Sequence, residues 1–331
     1  MRESWPFWRR YLNLAQPRLG AEVVAVTDEF FGAAERLLQP GEPVFLPGKY
    51  DEHGKWMDGW ESRRRRDGGH DVCVVRLGWP ATIHGVDIDT RFFDGNQPLA
   101  ATIEAATEAD PGALDAADWF ELVPRTGLGP NAQHRVEVAC GRSVRWLRLH
   151  IFPDGGVARL RVYGEARGGG STPATGLLDL AAAENGGSIV AASDEHFGAA
   201  AKLLLPGRGL DMGDGWETRR RRGPGFDWAI LALGRPGTIE RVLLDTAHFK
   251  GNFPHQASLQ GALALAAGES LVADSADWPE LLPRQLLRAD AEHLYDRELV
   301  SLGPLSHLRL NIFPDGGVSR LRALGRTVLA R

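Results

Sequence analysis

A chain of 331 residues, 43% hydrophobic and carrying 40 Gly and 20 Pro, has room for about two domains with their own cores and is neither fibrous nor disordered in composition. Its 38 basic and 43 acidic residues leave a net charge of -5, which argues against nucleic-acid binding through bulk positive charge. Only Cys73 and Cys140 occur, too few for a disulfide framework or a zinc cage, and a reducing, cytoplasmic setting is expected.

The N-terminal string MRESWPFWRRYLNLAQPRLG mixes Trp with Arg and lacks the apolar stretch of a signal peptide, so residues 1–27 read as a lead-in. No segment anywhere reaches the roughly 18 uninterrupted apolar residues of a membrane span. A first repeat, 28–165, opens with DEFFGAAERLLQPG, in which Phe31 to Leu38 predicts a helix stopped by Pro-Gly.

DGWESRRRR follows at Asp58 to Arg66. If it is extended, Arg63 and Arg65 share one face and Arg64 and Arg66 the other, so one pair can enter a cleft while the other meets solvent or carboxylates. A guanidinium forks onto a carboxylate, which suits a small anionic ligand. A solvated basic edge strand is the plainer alternative.

Apolar runs predict strands at Val72 to Leu77 and Ile83 to Thr90. The second leads into DTRFFDGN, Asp89 to Asn96, where a carboxylate, an aromatic ring and an amide share one loop that could accept hydrogen bonds from an N–H-rich ligand. Turn chemistry alone accounts for the same residues equally well. LRLHIFPDGGVARLR, Leu147 to Arg161, alternates apolar and polar residues on both sides of Pro-Asp-Gly-Gly and predicts a tight hairpin. Asp154 stands at its tip, and Arg159 and Arg161 project from one strand face at i and i+2.

Residues 166–193, beginning with the Gly-, Ser- and Pro-bearing ARGGGSTPATG, read as linker and second lead-in. The second repeat, 194–331, says nearly everything again. DGWETRRRR returns at Asp214 to Arg222 with eight of nine residues identical, DTAHFKGN at Asp245 to Asn252, and LRLNIFPDGGVSRLR at Leu308 to Arg322 with 13 of 15 identical. A helix is expected at Phe197 to Leu205, with strands at Trp228 to Leu233 and Ile239 to Thr246. A period near 160 residues marks an internal duplication rather than a solenoid. Many short strands with few helices make the chain all-β, with two tandem β-sandwich domains. Polar strings kept in both copies are where function should lie.

Ten His are scattered without HxH or HExxH spacing, and no metal or cofactor site is read. GxSxG elbows, Walker loops and GxGxxG motifs are absent.

The quoted strings, in order and spacing and over nearly the whole chain, resemble the allantoicase family. The resemblance implies repeats of the galactose-binding or discoidin type of jelly roll and hydrolysis of allantoate to ureidoglycolate and urea in purine breakdown. Under it, Arg63 or Arg159 would hold the substrate carboxylate. Glu61, Asp89 and Asn96 would meet ureido groups, and Glu61 and Asp89, with His150 behind them, would move protons. Trp60, Phe93, Arg65, Asp154 and Arg161 would complete substrate binding, with Glu217, Arg219, Asp245, Asn252 and Arg320 as second-copy counterparts. The partner implied is this small molecule; no nucleic-acid or membrane partner is expected from charge and hydropathy, and a homo-oligomer is expected because compact metabolic enzymes commonly form one. Two departures stand out. Phe152 and Phe313 occupy hairpin positions where Tyr is expected, and the second copy lacks the roughly ten residues around Leu46 to Trp56. The rival reading is a tandem carbohydrate-binding module using Trp60, Phe93 and Trp216 as exposed stacking surfaces. A third reading has one repeat catalyse and the other support assembly.

Overall fold

The structure, a computed structural model, describes residues 6–167, 176–264 and 266–328. They form two compact units, one within Tyr11–Arg167 and one grouping the short helix α1 (Phe7–Arg10) with the second repeat. Each unit is a jelly-roll β-sandwich.

The first repeat contains β1 (Leu12–Asn13), β2 (Glu22–Val26), the small hairpin β3 (Tyr50–Asp51) and β4 (Gly54–Lys55), β5 (Trp60–Glu61) and β6 (Asp71–Asp89). After these come β7 (Ala100–Ala106), β8 (Phe120–Gly127), β9 (Gln133–Glu137), β10 (Val144–Phe152), β11 (Gly156–Val157) and β12 (Arg159–Ala166). The two strands expected at 72–77 and 83–90 are one 19-residue strand, β6. A strand has only two edges, yet β6 has four antiparallel partners: β2 and β10 beside its first half, β12 and β9 beside its second. One strand therefore runs through both layers of the sandwich. Its register slips near residues 76–81, around Gly78 and Pro80, where the chain bends from one layer into the other. Between the layers Val75, Ile83, Ile88, Ile103, Leu149 and Leu160 are fully buried, each stabilising the fold by about 1.5–3 kcal/mol.

The second repeat is built alike from β13 (Leu178–Asp179), β14 (Ser188–Ala192), β15 (Trp216–Glu217), β16 (Asp227–Asp245), β17 (Gln256–Ala262), β18 (Glu280–Leu286), β19 (Glu292–Tyr295), β20 (Leu305–Phe313), β21 (Gly317–Val318) and β22 (Arg320–Thr327). β16 fuses the strands expected at 228–233 and 239–246, and one short helix, α2 (Gly268–Asp274), joins β17 to β18.

Three expectations need correction. The predicted hairpin is not one: β10 and β12 do not pair with each other but lie along different halves of β6. The intervening turn carries the chain across the sandwich while β11 pairs with β5. Second, Phe31 to Leu38 and Phe197 to Leu205 give only five-residue 3-10 helices, Ala34–Leu38 and Ala200–Leu204. Gly32 is held in a bridge to Glu61, and Gly198 likewise to Glu217, so the preceding residues are committed to extended pairing. Third, the lead-ins belong to the sandwiches, because β1 and β2 pair with β12 and β6, and β13 and β14 with β22 and β16. Most of the Gly/Ser/Pro linker, 168–175, lies outside the described residues.

Candidate functional site

Strand alternation on β5 turns Trp60 inward and Glu61 outward. Trp60 is fully buried, with its indole N–H donating to the Asp28 carbonyl at 2.8 Å. Glu61 is fixed by its backbone: its N–H donates to Gly32 O, and its carbonyl accepts from the N–H of Phe31 and Gly32, each at 3.1 Å. The side chain then reaches the loop after β6, where the Asn96 amide donates to Glu61 Oε1 at 2.8 Å. That loop is anchored by Phe93, which is fully buried beneath β11; a Cβ on Gly156 would stand 1.9 Å from its ring.

The Arg run crosses the cleft tied to the turn between β10 and β11. Ser62 N–H donates to Gly155 O and Gly155 N–H to Ser62 Oγ, both at 3.2 Å, while Asp154 accepts the Arg65 backbone N–H at 2.7 Å. Gly155 has φ 127°, and a Cβ there would lie 2.5 Å from Asn96 O, so the close approach of turn and loop requires glycine.

The side chains divide in the pairs that alternation suggested, with Arg63 and Arg65 as the pair that meets carboxylates. Arg63 is paired with Asp28 at 2.6 Å, and Arg65 lies 3.5 Å from Asp67 and 3.6 Å from Asp71. Arg64 and Arg66 are exposed, and among the described residues neither has a carboxylate within ion-pair distance. All four line a cleft of about 760 Å³ together with Phe31, Glu61, Ser62, Asn96, Gln97, Leu99 and Asp154. A second lobe of about 450 Å³ is lined by Phe31, His53, Gly54, Lys55, Met57, Glu61, Phe92, Asp94 and Asn96. Phe31, Glu61 and Asn96 are shared by both lobes. Burial raises the Glu61 carboxyl above its ordinary range, the Asn96 hydrogen bond and the Lys55 cation oppose this, and Asp51 adds to it. Such a group keeps a proton to higher pH than an ordinary glutamate.

Several expected site residues are placed elsewhere. Asp89 is fully buried and is held by Arg91, whose Nε donates to both its oxygens at 3.0 and 2.9 Å. In the second copy Ala247 stands where Arg91 would be, and Arg208 comes from a different loop to reach Asp245 at 2.9 Å. Two copies supplying a guanidinium to one buried carboxylate from different positions marks a structural ion pair. Arg159 is 2% exposed, bonded to Asp58 Oδ2 at 2.7 Å and to the carbonyls of Asp58, Ala158 and Gly41. Arg161 binds Pro40 O, Gly41 O and Glu42. Both fasten the loop after the 3-10 helix, as Arg320 does with Asp214 at 2.6 Å.

His150 is not among the residues that line the cleft. Its Nε2 lies 2.9 Å from Glu104 and its Nδ1 2.9 Å from His70 Nε2, on the sheet face formed by β10 and β7. Its counterpart Asn311 donates to Gln260 at 2.9 Å, so the same spot tolerates neutral amides. Burial first, then the neighbouring His150 and Arg65, push His70 below its ordinary value of 6.5, while Asp71 opposes them. The unfolded chain therefore takes up this proton first as pH falls, and the stability associated with neutral His70 is present above about pH 6.5 and lost below it. Replacing His70 by Phe, the residue the second copy carries as Phe226, should narrow the gap between melting temperatures at pH 5 and pH 7.5. An unchanged gap would assign acid sensitivity to other groups.

In the second copy Asn252 donates to Glu217 at 2.5 Å, Asp194 holds Arg219 at 2.9 Å, and Asp315 accepts the Arg221 N–H at 2.8 Å. The framework of the site is thus duplicated. Arg64 and Arg66 were read in sequence as the opposite face of the Arg run, while Ser62, Phe31, Gln97 and the 53–57 residues were missed. The absence of the 46–56 segment from the second copy was the signal for the last group.

A family model for the allantoicase repeat matches residues 12–167 and 178–328. The chain is 56% identical over 321 residues to probable allantoicase 2 of Burkholderia pseudomallei, covering 96% of each. It is 53% identical over 322 residues to a probable allantoicase of Ralstonia nicotianae, again with 96% of each covered. Among solved structures it is similar to the allantoicase of Saccharomyces cerevisiae, with TM-score 0.75 and 37% identity over 95% of this chain and 92% of that one.

Proposed function

This chain belongs to the allantoicase family, and we propose that its first-repeat cleft, centred on Glu61, is where it works. The reaction is hydrolysis of allantoate to ureidoglycolate and urea. Allantoate carries a carboxylate and two ureido arms on one carbon, so it calls for a cation at one end of a pocket and N–H acceptors around the carbon.

The observation that carries the proposal is that Glu61 and Asn96 line both lobes while two guanidinium groups, without carboxylate partners among the described residues, stand in one of them. Arg64 and Arg66 hold the substrate carboxylate. Glu61, in its protonated form, gives its proton to the departing ureido nitrogen as the bond to the central carbon breaks. The carboxylate so formed takes a proton from the incoming water, whose oxygen becomes the hydroxyl of ureidoglycolate. Asn96 holds the carboxyl in place throughout. The second repeat keeps the Glu217–Asn252 pair, and its role is assigned here as support for the fold rather than turnover.

Removing a charged hydrogen-bond partner costs about 1.5–3 kcal/mol. Arg64→Ala and Arg66→Ala should therefore each raise KM for allantoate by about 10- to 100-fold with kcat little changed, as followed by urea release. An unaltered KM in both would move the carboxylate elsewhere. The carbohydrate-binding alternative is not favoured, because Trp60, Phe93 and Trp216 are fully buried and present no face to a sugar.

The proposal places the chemistry on side chains, with no cofactor assigned; among the described residues no three His, Cys, Asp or Glu stand together as a metal group. No helix among them is long and apolar enough to cross a membrane. A cytoplasmic location is supported by the free thiols of Cys73 and Cys140, and a homo-oligomer by the usual habit of compact metabolic enzymes.

A further inference from the structure

The first repeat spans Leu38 to Asp58 where the second spans only Leu204 to Asp214. The extra chain is the β3–β4 hairpin, and it is attached to the rim of the cleft by rings and cations. Lys49 Nζ sits 3.6 Å over the Trp56 ring, Lys55 Nζ 4.7 Å over Phe45, and Phe45 stacks at 6.0 Å on Phe92, the residue of the 89–96 loop that faces outward. His53 packs at 4.2 Å on Phe30, which also lies under Arg63 at 5.2 Å. This insertion thereby walls the second lobe with His53, Gly54 and Lys55 opposite Glu61, Asp94 and Asn96.

That lobe has a different chemistry from the one holding the Arg run. It sets one ammonium group against carboxylate and amide oxygens, an arrangement that donates to a carbonyl and accepts from N–H groups at once. A ureido group offers one carbonyl oxygen flanked by N–H donors, whereas a carboxylate has no N–H to give.

We propose that the β3–β4 hairpin makes the first-repeat cleft specific for a ureido-bearing acid: Lys55 donates to the carbonyl of one ureido arm while Asp94 and Glu61 accept its N–H groups. This rests on the first-repeat cleft being the allantoate site. It also separates the two copies functionally, since the second has the Glu–Asn pair and the Arg run but not this wall.

The test uses two simple probes against the full-length enzyme, N-carbamoylglycine, which has a carboxylate and one ureido arm, and glycolate, which has a carboxylate and a hydroxyl but no ureido arm. Competitive inhibition of urea release is measured for wild type, Lys55→Ala and Arg64→Ala. Lys55 is exposed, so its truncation leaves the fold intact, and His53→Ala provides a second variant on the same wall. The expected result is inhibition by N-carbamoylglycine weakened about 10-fold in Lys55→Ala with glycolate unchanged, and both inhibitors weakened in Arg64→Ala. Inhibition by N-carbamoylglycine that is weakened by Arg64→Ala but indifferent to Lys55→Ala overturns the hairpin proposal and leaves the cleft assignment standing. Equal weakening of both probes by Lys55→Ala also overturns it, since Lys55 would then serve the carboxylate. Indifference of both probes to both variants defeats the cleft assignment itself and the hairpin proposal with it. So does failure of N-carbamoylglycine to inhibit the wild type any better than glycolate, for the hairpin alone.

Discussion

Glu61→Gln should lower the turnover rate on allantoate by about 10²- to 10⁴-fold, the usual contribution of a positioned acid–base group. The substitution preserves shape, and its carbonyl oxygen can still accept the Asn96 hydrogen bond seen at 2.8 Å. What it removes is the ability to release and regain a proton. Because burial raises Glu61 above the ordinary 4.5, the group is a proton donor to higher pH than most glutamates, and the wild-type rate should fall as alkali strips that proton away. That alkaline limb should be missing from the residual activity of the variant. Thermal melting should change little, since among the described residues no cation is paired directly with Glu61 and the variant keeps the acceptor for Asn96. Near-normal turnover in a folded Gln variant would remove Glu61 from the mechanism.

The largest stability effect is expected from Arg159→Met. This guanidinium is 2% exposed and makes four hydrogen bonds, to Asp58 Oδ2 and to three backbone carbonyls. Met matches much of its volume but leaves the Asp58 carboxylate without its cation, held by the Val44 N–H, and takes one donor from each of those carbonyls. Breaking one side of a buried ion pair costs about 3–5 kcal/mol, a large share of a domain's margin of stability. Denaturant unfolding measures the loss, and adding Asp58→Asn should recover part of it, because the uncompensated charge is then gone. A variant with wild-type stability but a much higher KM would return Arg159 to substrate binding, where its repeated Arg-x-Arg spacing had placed it.

Arg159 also shows why the site was only partly legible beforehand. Its spacing with Arg161 correctly put both on one strand face, but a face can look toward a ligand or toward a loop of the same chain. Pro40 and Gly41, more than a hundred positions away, turn their carbonyls onto that face, and between them they bind both cations. Asp89 misled for the same reason. A strand-end carboxylate reads as a catalytic acid until a neighbouring guanidinium is found closing on both of its oxygens. Glu61 and Asn96, by contrast, are hydrogen-bonded neighbours though 35 residues apart, and each lies in a polar string repeated in the second copy.

The duplication, the all-β class, the strand content and the polar strings that frame the cleft were determined by the sequence alone. These features follow from local periodicity and from comparing one half of the chain with the other, and neither requires knowing what lies across space. Tertiary structure alone decided that β6 serves two layers, that Pro-Asp-Gly-Gly is a crossover rather than a hairpin, and that Arg64 and Arg66 rather than Arg63 and Arg65 are left without carboxylate partners. Each of these depends on which distant backbone or carboxylate arrives beside a residue, and long-range pairing in a sandwich is set by the burial of whole faces rather than by the residues next in line.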